Sequence, residues 1–426
     1  MLGVGIDWAE EFHDIALGTP EQGVVEQFRI EHGPGGVSRL IGRCLALEPD
    51  PAEVRVVLET RHGLLVEALL DAGFSVVPVN PDLVSRRRGP ARKKDDAEDA
   101  RICCLLALDR HAGLRQLVPH GDLGTELRGI ARDDEPAARD QRRLLNRLRA
   151  DLTTTYPAAL VVAGGDLGAV TVLRLLERWP TQAELAAATP QELADFARAG
   201  RHGWPAAFAD KVTSALNTPH LPTRAALVRA KAPGIKLAAV QLPAIHQARR
   251  AWERRMGEIL LGAPRTGRDH TPKPTGKDPD PGNAFPDGEI YLSFPGLGDR
   301  LAARVAAEIG EHIGQFDTPN ALQCYAGRAP VTRRSGKNDF VVARRLAHNR
   351  YLGDTVHLWA FCSLSRSTWA REFYDTKIAA RKSHHAALRA LGNRWLEVLW
   401  HRLTKNTTYN ENTHIANRNR THGNAA

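Results

Sequence analysis

The sequence predicts an α/β fold with a mixed sheet, continued by a long helical region and a mostly α-helical C-terminal domain. Three observations carry this prediction. The first 110 residues or so alternate apolar strand-like runs with segments of helical spacing. From about residue 120 the strand signal gives way to long amphipathic helical periodicity. A stretch rich in Pro and Gly and almost without aliphatics, 263–288, then sets off a second helical region.

The elements follow in order. The run LGVGID (2–7) is an apolar strand ending in an acid. HDIALGT (13–19) and VVEQFRIEH (24–32) read as two further strands with a turn at EQG. GGVSRLIGRCLAL (35–47) has apolar residues three and four apart and is a helix. EVRVVLET (53–60) is a strand, GLLVEALLDAG (63–73) a helix closed by glycine, and FSVVPVNP (74–81) a strand. A basic loop leads to a helix from about Asp96 to Leu108. The order β-β-β-α-β-α-β-α indicates a mixed sheet. Between 120 and 160, Leu127, Ile130, Leu144, Leu145, Leu148 and Leu152 keep helical spacing while Arg142, Arg143, Arg147 and Arg149 cover other faces. Such a helix presents either a solvated surface or a face that tracks nucleic acid. Residues 165–220 read as small helices, and 242–262 as a second long helix that would pair antiparallel with the first. The predicted organisation is therefore an α/β domain at 1–118, a helical coiled-coil region with a small insert at 119–262, a linker at 263–288, a helical domain at 289–405 and a disordered tail at 406–426.

With 58 Lys and Arg against 49 Asp and Glu, the net charge is +9, which favours polyanionic partners and nucleic acid first among them. The five cysteines form no CxxC pair, so a zinc site is not expected; Cys103 and Cys104 read as small core residues. No signal peptide or membrane span is legible, so a cytoplasmic protein associated with the bacterial nucleoid is expected, with no membrane partner.

One stretch asks for an explanation. RGPARKKDDAEDA (88–100) places Asp95, Asp96, Glu98 and Asp99 directly behind Arg92, Lys93 and Lys94. Acids favour a helix N-terminus, so capping accounts for part of the run. Asp7 ends the first strand and Glu59 the fourth. If those strands are neighbours, both carboxylates meet at one sheet edge, and a helix starting near Asp96 brings Asp96 and Asp99 to the same edge, four carboxylates from three elements. Asp96 and Asp99 share a helix face, as do Asp95 and Asp99, so spacing alone leaves the fourth acid open. Clustered carboxylates call for a hard divalent cation, Mg²⁺ or Mn²⁺. Two such ions about 4 Å apart serve phosphodiester chemistry. The basic loop, with Arg86, Arg87, Arg88, Arg92, Lys93 and Lys94, would then hold the nucleic-acid backbone.

Taken together, GVGIDWAEEFHDIAL, VVLETRHG and KKDDAEDA resemble the RuvC-like, RNase H-fold DEDD domain of the one-ten insertion-sequence family of transposases. The resemblance implies that Asp7, Glu59, Asp96 and Asp99 are metal ligands, with Asp95 at a position where the family has a small polar residue. In the C-terminal part, LSFPGLGDRLAARVAAEIG (292–310) resembles a helix-hairpin-helix element, in which Gly296 and Gly298 would let backbone approach a phosphate. An ordinary tight turn has the same local signature. FDTPNALQCYAGRAPVTRRSGKNDF (316–340) is similar to the family's transposase domain and aligns Ser335 with its nucleophile, flanked by Arg333, Arg334 and Lys337. Departures are Arg328 for a usual leucine, Arg334 for a usual glutamine and His348 for a usual glycine.

The resemblance implies a site-specific DNA recombinase. Its serine would form a phosphoserine bond to DNA, and a 3′-hydroxyl would then displace it. The implied partners are donor and target DNA, a structured guide RNA and further copies of the chain in a dimer or tetramer. A junction-resolving nuclease that uses water, or a non-catalytic nucleic-acid-binding protein, would share the first domain.

Overall fold

The computed structural model describes residues 1–60, 63–88, 95–109, 114–262, 284–335, 338–342 and 348–423; for 331–335, 338–342 and 418–423 it describes backbone alone. The chain forms two compact units, Met1–Pro119 and His120–Ala426.

In the first unit, strands β1 (Leu2–Trp8), β2 (Phe12–Thr19) and β3 (Gly23–Glu31) meander antiparallel. They are followed by α1 (Pro34–Leu47), β4 (Val54–Leu58), α2 (Leu64–Asp71), β5 (Ser75–Pro78), α3 (Pro81–Arg87) and α4 (Asp96–Leu108). The sheet order is β3-β2-β1-β4-β5, with β1, β4 and β5 parallel. This is the mixed sheet expected of an RNase H-like domain. The helix α3 was not predicted; it occupies part of the sequence read as a basic loop, and Asn80 caps it, accepting from Asp82 N at 2.9 Å.

Strand alternation sorts the two faces of this sheet. Leu2, Val4, Ile6, Val54, Val56 and Leu58 pack with residues of α1 and α2. Val57 and Val77 pack on the opposite face with Ile102, Cys103 and Leu106 of α4. In β1 the residues turned to that second face are Gly3, Gly5 and Asp7. A Cβ on Gly5 would overlap the Ala100 carbonyl oxygen and the Cys104 nitrogen. The two glycines therefore let α4 lie directly on β1. The Cys104 thiol donates to the Gly3 carbonyl at 3.3 Å, and Gln27 of β3 donates to the Ala97 carbonyl at 2.9 Å. Burial pushes the Cys104 thiol up to about 12, in keeping with a core role.

The second unit is built on α5 (Asp122–Thr155) and α11 (Ala225–Leu261). Lys231–Asp151, Arg249–Asp134 and Arg255–Glu126 pair ascending positions on one helix with descending positions on the other, so the two run antiparallel. Glu311 supplies the N-terminal cap of α5, accepting from Gly121 N and Gly124 N at 3.0 Å each. Between the long helices lie α6 (Pro157–Ala163), α7 (Val170–Arg178), α8 (Gln182–Ala186), α9 (Pro190–Ala199) and α10 (Pro205–Leu216), which share one core with the facing parts of α5 and α11. The second long helix begins well before the expected start near residue 242. It runs through Pro233 and Pro243, because Ile235, Ala238, Ala239 and Leu242 are buried and hold the turns that lack a proline N–H.

The remaining elements are α12 (Gly288–Leu292), α13 (Asp299–Ile309), α14 (Pro319–Tyr325), the hairpin β6 (Val331–Ser335) and β7 (Asn338–Val342), α15 (Arg350–Ser363), α16 (Thr368–Ala379), α17 (His384–Thr404) and α18 (Glu411–Gly423). Their core centres on Trp359 and Trp395, stacked with ring centroids 5.4 Å apart, with Phe294 edge-on to both. The expectation of a disordered tail does not hold over 406–423. Tyr409 is buried against Phe294, and Glu411 accepts from Ser367 Oγ at 2.8 Å, which anchors α18. Most of 263–288 lies outside the described residues, but Phe285 is buried and Gly288 already begins α12. No described helix is long and apolar enough to cross a membrane.

Candidate active site

The acid run divides its work among separate tasks. Asp95 is the N-cap of α4 and accepts from Ala97 N at 3.2 Å. Glu98 forms a two-point pair with Arg101, at 2.7 and 2.8 Å. Asp96 sits exposed on the first turn, where its charge is felt by Arg29 of β3. Asp99 alone of the four is buried, with its side chain 3% exposed.

Asp99 faces the carboxyl ends of β1 and β4. These strands pair parallel, with Ile6 opposite Leu58, so Asp7 and Glu59 emerge side by side. Alternation turns both toward α4. Two neighbours register the convergence. Arg88, just after α3, donates from Nε to Asp99 Oδ1 at 2.6 Å and from Nη2 to Oδ2. Those bonds hold the guanidinium above its usual range against partial burial, and the charges of Asp99, Glu59 and Asp7 add to the effect. Burial raises the Cys103 thiol beneath them, with Glu59, Asp7 and Asp99 again adding. Three carboxylates from β1, the end of β4 and α4 thus share one neighbourhood with one guanidinium. This is the crevice outside the carboxyl ends of parallel strands where open α/β sheets bind ligands.

The donor chemistry fits a hard divalent cation, because all three acids offer oxygen. Among the described residues no group of three or more ligating side chains is drawn close enough to hold an ion unaided. Arg88 meets Asp99 instead, as the local counter-charge. The sequence reading missed that role, assigning Arg88 only to nucleic acid. It also missed Gly3 and Gly5, whose alternation with Asp7 was the available signal. Of the remaining basic residues, Arg86 and Arg87 are exposed in the last turn of α3, and Arg87 pairs with Asp109 at 3.4 Å. Arg92, Lys93 and Lys94 lie outside the described residues.

In the second unit, Ser335 is the last residue of β6 and pairs with Asn338, so it stands at one end of the two-stranded ladder. Arg333 and Arg334 pair with Phe340 and Asp339 on β7. The side chains of Arg333, Arg334 and Ser335, and Lys337 altogether, lie outside the described residues. A small cavity in this unit is lined by Arg328, His348, Asp354, His357, His385 and Arg389. His357 Nε2 meets His385 Nδ1 at 3.2 Å. Burial, reinforced by the charges of Arg328, His385, Arg389 and His384, pushes His357 down to about 4.

The Pro295–Gly298 turn is pinned to α15. Trp359 Nε1 donates to the Pro295 carbonyl at 3.1 Å. Gly296 has φ +85°, and a Cβ there would meet the Ser363 nitrogen at 2.7 Å, so its glycine serves packing. Gly298, the N-cap of α13, opens to a cavity, and a Cβ there would meet nothing within 4 Å. Arg142 and Arg143 are exposed on α5; Arg143 pairs with Asp140, while Arg142 lines that cavity.

Two family models match the chain. One, for DEDD transposases of the IS110 type, covers residues 4–157; the other, described as "Transposase IS116/IS110/IS902 family", covers 288–375. The chain is 34% identical to the "Mini-circle putative transposase for IS117" of Streptomyces coelicolor, over 96% of this chain and 95% of that protein. It is 29% identical to an IS110 insertion-element protein of the same organism, over 86% of this chain and 84% of the relative. It is 26% identical to an IS900 insertion-element protein of Mycobacterium paratuberculosis, over 91% and 92%.

Proposed function

The chain belongs to the IS116/IS110/IS902 family of transposases, and on that footing we propose that it cuts and rejoins DNA through a serine-linked intermediate, with divalent-metal assistance and an RNA guide. The observation that carries the reading is the convergence of Asp7, Glu59 and Asp99 at the ends of β1 and β4 and the start of α4.

In the proposed reaction the Ser335 hydroxyl attacks the scissile phosphorus. The Oγ–P bond forms as the bond from phosphorus to the 3′-oxygen breaks, and that oxygen leaves as a 3′-hydroxyl. The proton lost by Ser335 is matched by the one the departing 3′-oxygen takes up, so the charge on the phosphodiester is conserved. A 3′-hydroxyl of the second DNA then attacks the same phosphorus. It forms the new strand linkage and returns the hydroxyl to Ser335. Asp7, Glu59 and Asp99 would hold the cation, Mg²⁺ or Mn²⁺, with Asp96 within one helical turn as the fourth acid. The chemistry such an ion supplies is Lewis-acid neutralisation of phosphodiester charge. Arg88 would move its guanidinium from Asp99 to the DNA backbone as the carboxylates engage. The basic residues around α3 and along α5 would bind guide RNA and heteroduplex by shape and backbone charge. Action on donor and target DNA together calls for a dimer or tetramer.

The experiment is a search for a protein–DNA adduct that survives denaturation. The wild type gives one, and Ser335→Ala abolishes it while retaining DNA binding. An adduct that persists in Ser335→Ala removes that residue from the mechanism. Metal-dependent cleavage without any adduct favours a nuclease that uses water. Sequencing RNA that co-purifies with the chain tests the guide, and a defined structured species is expected.

A further inference from the structure

The serine and acid chemistry leaves one face of α17 without a role. Ala386, Arg389, Asn393, Glu397, His401 and Lys405 recur three or four positions apart, so they share a face, and each lines one of two cavities, of about 500 and 630 Å³. A third cavity of about 170 Å³ extends the row to His385. The three adjoin: Arg328 and Arg389 line both the smallest and the middle one, and Phe373, Arg394 and Glu397 line both larger ones. They form a groove along α17, with Phe373 and Lys377 supplied by α16. From His385 to Lys405 the groove runs about 30 Å at 1.5 Å per residue. Leu388, Leu391, Trp395 and Leu399 of the same helix are buried in the core, which fixes the grooved face outward.

The lining is strongly basic. Arg328, Lys377, Lys382, Arg389, Arg394, Arg402 and Lys405 stand against two carboxylates, Asp354 and Glu397. Glu397 is already taken by Arg394 at 2.6 Å. The excess survives a wider count. Adding Arg371, Glu372 and Asp375 of α16 and Glu411 at the start of α18 gives eight cations against five carboxylates. Among the described residues, Lys377, Lys382, Arg389 and Lys405 make no ion pair. His357 reports the same sign at one end of the groove: beyond burial, the charges of Arg328, His385, Arg389 and His384 all push it down.

We propose that this groove along α17 is a docking surface for the sugar-phosphate backbone of duplex DNA. Its length matches about nine base pairs, whose phosphates recur every 3.4 Å or so along each strand. Backbone contact suits the lining better than stacked single-stranded bases do. Trp369 is buried, and Phe373 lies between Trp369, at a centroid distance of 5.8 Å, and the Lys377 ammonium at 5.1 Å, which leaves little ring face for splayed bases. The choice of DNA among polyanions rests on the transposase reading.

The test neutralises three groove cations that make no ion pair, in the variant Lys382→Gln/Arg389→Gln/Lys405→Gln. Binding of the full chain to a duplex of about 30 base pairs is followed by anisotropy across a salt series, which reads the sequence-independent backbone contribution. The expected result is a dissociation constant raised about tenfold or more and a salt slope smaller by about two to three, with Tm unchanged or higher. A control with the same change of charge away from the groove, Arg198→Gln/Arg229→Gln/Lys236→Gln, keeps near-wild-type binding. Wild-type affinity and slope in the groove variant would overturn the proposal, and so would an equal loss in the control. Weakened binding of a structured RNA with duplex binding unchanged would overturn the choice of DNA. Adduct formation by the wild type does not depend on these cations, so failure here leaves the serine mechanism standing, whereas loss of the adduct in Ser335→Ala leaves this groove untouched.

Discussion

Arg88 grips Asp99 at two points, and it does so beside two further carboxylates, Asp7 and Glu59. A guanidinium in that position does part of the work of a cation: it balances acids that the fold has forced together. The Asp99 side chain is almost completely buried and that of Arg88 is 18% exposed, so the pair is screened far less than a surface bridge.

Removing Arg88 should therefore make the first unit depend on divalent metal. Arg88→Ala is expected to lose about 2–4 kcal/mol of stability in chelator, as for a broken buried pair. Mg²⁺ should restore most of that loss by binding the folded state alone. Denaturant unfolding with and without Mg²⁺ measures both. Equal Mg²⁺ stabilisation of wild type and variant would show that Arg88 and the cation do not share the acids.

The close seat of α4 on β1 makes a second expectation. Gly5→Ala should destabilise by about 3 kcal/mol or more, because the added carbon meets backbone rather than a movable side chain. Gly42→Ala, within α1 and facing open space, should instead gain about 0.5–1 kcal/mol. Thermal unfolding of the two variants checks the contrast, and similar shifts would contradict the close packing of α4 on β1 as the reason for Gly5.

How far this was legible in the sequence differs by element. The five strands and the acids at their ends could be read because alternation and run length are local. Gly3 and Gly5 could be seen but not interpreted, since what approaches a glycine is decided by a helix about a hundred positions away. Arg88 was visible as one of many arginines; its partner was not, because a pairing between side chains 11 positions apart leaves no periodic trace. Pro233 and Pro243 hid the first half of α11, where burial against its neighbours outweighs two missing N–H groups. The tail was too polar to read as packed, yet Tyr409 and Glu411 suffice to dock it. The arginines of α5 offered two readings, and what each lines is decided by helices distant in sequence.

The pair of His357 and His385 yields a pH dependence. The folded state holds His357 near 4, below its usual value of about 6.5. Between those values the unfolded chain binds the extra proton, so stability is fully present above about 6.5 and is lost as pH falls toward 4. Allowing for partial solvent access, the loss should be on the order of 1 kcal/mol. His357→Gln should flatten this part of the stability profile. An unchanged profile would mean that other groups carry the acid sensitivity.

The proposed chemistry stands or falls on whether Asp7, Glu59 and Asp99 together seat a divalent ion. Titration of the full chain with Mn²⁺, followed by electron paramagnetic resonance, reads this directly and without catalysis. Wild-type protein should take up the ion, and Asp7→Asn, Glu59→Gln and Asp99→Asn should each weaken uptake by about tenfold or more, as expected for loss of a charged ligand. Mn²⁺ binding of unchanged affinity and stoichiometry in the triple variant would contradict a metal seat at these three acids.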